Sequence, residues 1–280
     1  IMIRLLNIEL TKIMKNRASK VLVFGYFILL SFIALIASIK IDIGFFKLHL
    51  AEQGIFNFPY IWHFNTYIAS IFKLFLAVVI VSMISNEYSY GTLKQNIIDG
   101  MSKKEFIASK FITILFFSAL STLFIIVLSL ILGYSFSSYT ELSIVFSDWQ
   151  YVLAFFVKLV GFFSICMFVS LLIKRSAFAL GFLILWNVIE FIIMGLLRFE
   201  IFPDNETYQK IGILLPIESM SQLIKEPFSR LSVIKNMETT ITQTEVLRNY
   251  NTHWHSFTIA IIWTLIMVFL SYRLLKKRDL

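Results

Sequence analysis

The chain has 280 residues, 58% of them hydrophobic and 30 of them phenylalanine, with a mean hydropathy of +0.81. Water cannot solvate a surface made from that composition, so the chain reads as a polytopic membrane protein with lipid as its solvent. A net charge of +8 in a soluble protein would point to nucleic acid. Here the basic residues crowd the ends of apolar runs, where they act as topology signals, and no nucleic-acid partner is expected.

From the N-terminus, residues 1–20 form a basic amphipathic segment. Met2, Ile3, Leu6, Leu10, Ile13 and Met14 share one helical face, and Arg4, Asn7, Thr11, Lys12 and Lys15 share the other. Such a helix lies in the inner headgroup layer. The apolar run that follows is longer than a secretory signal core and ends in no convincing cleavage site, so it reads as a retained span. Six runs reach the length of about 20 residues that crosses the hydrocarbon core: 21–39, 68–85, 111–132, 152–173, 177–197 and 257–275. Lysines and arginines gather in segments 1–20, 94–110, 174–175 and 273–278. The positive-inside rule then puts both termini in the cytoplasm.

The polar stretch 86–110 lies between the second and third runs. Gly91 suits a sharp exit from a span, residues 92–98 make about two helical turns, and Gly100 is a natural stop. Ser102 and Glu105 have capping-box spacing, which starts the next helix in water. The order acidic residue (Glu87), Gly91-Thr92-Leu93-Lys94, an apolar stretch including Ile97, Gly100, then Ser102-Lys103-Lys104-Glu105-Phe106 resembles the first cytoplasmic loop of ABC-2 type transporter permeases. The likeness extends more weakly to span number, N-terminal helix and large final outer loop.

That resemblance implies an all-α, six-span integral membrane protein with an ABC-2, type V exporter-like permease fold and a single domain over 1–280. Residues 1–20 would be the interfacial elbow helix, 86–110 a coupling loop docked on a separate ATP-binding subunit, and 198–256 the extracytoplasmic loop. Coupling would fall to Glu87, Gly91, Thr92, Leu93, Lys94, Ile97, Ser102 and Glu105. The implied partners are the ATPase, a second permease copy or sister permease, and the lipid of a bacterial inner membrane. Magnesium-ATP would be bound by the partner chain, and no cofactor by this one. Spans two and five would line the substrate path.

Within 198–256, Pro216 can open a helix with Ile217, Met220, Leu223 and Ile224 on one face, and 229–252 is polar enough to be an outer excursion. Three charges lie inside the runs, at a similar depth in the outer half of the membrane: Lys73, Lys158 and Glu190. Snorkelling accounts for Lys73. A Lys158–Glu190 pair on consecutive helices is expected, with Asn187 extending the polar patch.

Motifs for chemistry are missing. No glycine-rich loop ends in Gly-Lys-Ser or Gly-Lys-Thr, no His-Glu-x-x-His occurs, and the lone Cys166 excludes an intrachain disulfide and a cysteine metal site. His253 and His255 would diverge on a helix but could share a face on a strand, and no third ligand is evident. The expectation is therefore a transport subunit with no catalytic residue and no metal. The rivals are an ion-coupled secondary transporter, a membrane-embedded enzyme and a non-transporting membrane scaffold.

Overall fold

The computed structural model describes residues 2–39, 41–43, 46–48, 54–203, 207–230, 250 and 252–278. It begins with α1 (Met2–Lys15) and α2 (Arg17–Ser38), which are separate helices because Asn16 takes an extended backbone and its side chain accepts the Ser19 amide. A short two-stranded antiparallel hairpin follows, β1 (Ile41–Ile43) on β2 (Phe46–Leu48), in a fold that is otherwise helical.

Then come α3 (Tyr60–Ile71), α4 (Lys73–Ser89), α5 (Thr92–Ile98), α6 (Lys103–Phe136), α7 (Leu142–Val145), α8 (Gln150–Ile173) and α9 (Ser176–Leu196), the last running into a π-turn at Leu197–Ile201. Short helices α10 (Thr207–Gly212) and α11 (Pro216–Ser221) precede the final helix α12 (Trp254–Lys276).

Five helical segments are long and apolar enough to cross a membrane: α2, α6, α7 with α8, α9 with its π-turn, and α12. The sixth expected span, 68–85, is not one straight helix. Its place is taken by α3 and α4, which bend by 43° at Phe72 and count as a sixth span only if taken together. This correction has a visible cause. His63, Asn65 and Thr66 made the stretch before residue 68 look polar, but all three are buried: His63 bonds the Lys225 carbonyl, Asn65 donates to Ser129 Oγ and Thr66 donates to the Trp62 carbonyl.

Helix α8 is the central post, packed on α3, α4, α6, α9, α11 and α12. Its Gly161 lets the Met220 side chain of α11 pack directly on the α8 backbone, and a Cβ there would meet the Met220 sulfur at 2.2 Å and force that side chain to move. The expected apolar face of the outer segment is met: Ile217, Met220, Leu223 and Ile224 are all buried, although the helix itself stops at Ser221. At the other end of the bundle Arg278 reaches the Leu171 carbonyl and Tyr88 Oη, tying the C-terminal ends of α12, α8 and α4. Most of segment 229–252, including residues 231–249, lies outside the described residues.

Candidate functional site

The expected loop helix forms with the predicted limits. Gly91 takes φ of 68° and Gly100 takes 97°, left-handed angles that glycine adopts without penalty, and α5 spans the residues between them. The Ser102 and Glu105 capping box is complete, with the serine oxygen accepting the Glu105 amide and the glutamate accepting the Ser102 amide.

Two of the residues proposed for docking point the wrong way. Leu93 is 2% exposed and Ile97 is half-buried against the bundle, because positions four apart share one face of a helix. The outward face carries Lys94, Gln95 and Ile98, with Tyr90 beside it.

Behind α5 lies an ion network that was not anticipated. Glu87, on the last turn of α4, accepts Lys12 Nζ at 2.7 Å and Lys110 Nζ at 2.9 Å on one oxygen. Its other oxygen accepts Thr92 Oγ1 and, at 3.3 Å, Asn96 Nδ2, both from α5. Lys110 also donates to Glu9 at 2.6 Å, and Lys12 lies 3.5 Å from the same glutamate. Lys110, Glu87 and Glu9 are 0%, 2% and 3% exposed. Two carboxylates and two ammoniums therefore balance in a site where Lys110, Glu87 and Glu9 are shut off from water and Lys12 closes the solvent side, its side chain 40% exposed. Burial alone would lower the Lys12 amine. The hydrogen bond to Glu87 and the charge of Glu9 more than reverse that and hold it above the usual lysine range.

The network corrects the reading of α1 as well. Its buried stripe is Leu5, Glu9 and Ile13, whereas Met2, Ile3 and Met14 are exposed. A carboxylate between two buried aliphatics at spacing i, i+4 was the available sign that this helix meets a cation and not only lipid.

The outer charges are arranged differently from expectation. Glu190 does not pair with Lys158. It accepts Trp186 Nε1 at 2.7 Å, the Ile217 amide at 3.0 Å and the Glu218 amide at 2.8 Å, so it satisfies the open amides where α11 begins. Pro216 sets that geometry, since a proline opening a helix leaves the next amides turned outward. Lys73 and Lys158 face a cavity with the exposed Asn187, and the Lys73 amine lies 4.3 Å over the Phe162 ring. His253 and His255 stack at 5.2 Å instead of diverging, because His253 caps α12 from an extended conformation. Among the described residues no group of three metal-ligating side chains occurs.

A family model described as "Protein of unknown function (DUF2705)" matches residues 52–280. No curated protein matches the chain.

Proposed function

We propose that this chain, which belongs to the family of proteins of unknown function DUF2705, is the membrane-spanning permease subunit of an ABC-2 type exporter driven by a separate ATP-binding subunit. The observation that carries the reading is the α5 loop. It is a short helix bounded by two left-handed glycines, with Lys94, Gln95 and Ile98 turned outward at the cytoplasmic end implied by the basic residues around it. An isolated seven-residue helix is not stable on its own. Here Leu93 packs into the bundle while Thr92 and Asn96 bond Glu87, so force on α5 passes to α4, and through Lys12 and Lys110 to α1 and α6. A docking element that must move membrane helices needs such an attachment.

Both termini would then be cytoplasmic, in a bacterial inner membrane. The exposed apolar flank of α9, including Phe178, Ile184 and Phe191, would meet lipid or a second permease copy. Glu190, Asn187, Lys73 and Lys158 would then lie in the outer half of this subunit.

The test is co-purification of the ATPase from native membranes. Ile98→Asp with Lys94→Glu should abolish it while leaving the permease inserted and its thermal transition unchanged. Undiminished co-purification of that double variant would refute docking at α5.

A further inference from the structure

A cavity of about 500 Å³ opens between α4, α8, α9 and the outer segment that carries α11, and Lys73 and Lys158 both line it. At 1.5 Å per residue, Lys73 stands about 21 Å above Glu87 along α4, and Lys158 about 24 Å above the Lys174 turn along α8. Both amines therefore sit in the outer third of a hydrocarbon layer about 30 Å thick. Lys158 is 4% exposed, and Lys73 is half-buried.

Among the described residues neither amine has a carboxylate within 4.0 Å, and their interactions are otherwise the Phe162 ring and longer-range charge. The acids nearby are committed elsewhere. Glu190 is occupied by Trp186 and two backbone amides. Glu218 accepts Gln222 Nε2 at 2.6 Å. Its carboxyl is held above the usual range by burial first, with Glu190 adding to this and both Gln222 and Lys158 opposing it. Glu226, also on the cavity wall, accepts the Ser229 hydroxyl and amide.

Amines at membrane depth with no carboxylate partner within 4.0 Å among the described residues are costly, and an apolar residue of similar length would remove the cost at either position. They come from different helices, so no single packing requirement explains both. The apolar part of the wall is Ile71, Leu74, Phe162 and Ile224, of which Ile71 and Leu74 are exposed on the surface of the bundle. Asn187 and Gln222 add amide groups able to donate to an acceptor.

We propose that this cavity binds an anionic amphiphile, with its phosphate or carboxylate head between the amines of Lys73 and Lys158 and its chain along Ile71 and Leu74. The assignment goes beyond the docking reading and does not depend on it, because binding to the cavity requires no ATPase.

The full-length chain in phosphatidylcholine nanodiscs is titrated with dodecyl phosphate, dodecanol and inorganic phosphate, and the midpoint of thermal unfolding is followed. Dodecyl phosphate should raise the midpoint saturably, and dodecanol should not. Lys73→Met and Lys158→Met should each weaken the apparent affinity by about tenfold, the loss of one charged hydrogen bond. Lys73→Arg should keep most of it. An equal response to dodecanol, or an unchanged affinity in both methionine variants, overturns the proposal. Inorganic phosphate as effective as dodecyl phosphate would make this a small-anion site and overturn the amphiphile. Should Lys158→Met fail to fold, Lys73→Met on the half-buried side, compared with Lys73→Arg, decides the matter.

Discussion

Lys110, Lys12, Lys73 and Lys158 separate by the company they keep. Lys110 has two carboxylates within 2.9 Å and the exposed Lys12 has Glu87 at 2.7 Å, whereas among the described residues Lys73 and Lys158 have none within 4.0 Å. Removing one end of a desolvated pair commonly costs about 3 to 5 kcal/mol because the partner charge is left stranded. Lys110→Met should therefore lower the unfolding midpoint markedly, and adding Glu9→Gln should recover part of the loss. Strictly additive losses would mean that the Glu9 contact contributes nothing. Lys12 has a raised folded-state pKa, so its contribution is complete at neutral pH and is lost only as the pH rises through and beyond the usual lysine range.

Lys158→Met should do the opposite of Lys110→Met and raise the midpoint in anion-free nanodiscs, since it removes a buried amine that has no carboxylate within 4.0 Å among the described residues. Glu190→Gln keeps one good acceptor where three donors converge, and should cost about 1 to 3 kcal/mol. Because Glu190 and Lys158 are not in contact, the double variant should equal the sum of the singles within about 0.5 kcal/mol. A strong rescue of Glu190→Gln by Lys158→Met would show coupling that this geometry lacks.

At the level of elements, α5 was legible because everything that defines it is local. Glycines at both ends, a two-turn apolar period and a serine three residues before a glutamate are all signals written within one short segment. Which side of α5 faces outward was not legible. Leu93 and Lys94 are adjacent in sequence, and only the packing of α5 on α4 decides that the leucine turns in. The consequence is testable. Leu93→Asp places a carboxylate in the bundle and should lower the yield of folded protein, whereas Ile98→Asp sits on the exposed face and should affect only partner binding.

The bend at Phe72 was hidden for the same reason. No proline or glycine marks it, and the polar residues of α3 are explained only by partners on α6 and on the 207–230 segment. Glu9 is the intermediate case. Its position on an apolar stripe was readable, but its partner Lys110 lies 101 residues away.

For the whole molecule, two charged clusters stand at opposite ends of α4. The lower cluster joins α1, α4, α5 and α6 through Glu87, and the upper joins α8, α9 and α11 around Glu190 and the lysine-lined cavity. Under the proposed docking, a motion that starts at α5 would reach the upper cluster along α4, the helix that begins at Lys73 and carries Glu87 in its last turn. This requires the two clusters to lie on opposite sides of the membrane, which the positive-inside pattern implies.

Cysteine scanning tests that requirement directly. In a Cys166→Ala background, Ser147→Cys lies exposed in the turn between α7 and α8, and Lys104→Cys lies exposed in the first turn of α6. An impermeant maleimide added to intact cells should label position 147 and leave position 104 unmodified until the membrane is broken. Labelling of 104 alone would invert the chain and put α5 beyond the reach of any cytoplasmic ATPase. Labelling of both would mean that α6 does not cross the bilayer, although its length and apolarity suit it to do so.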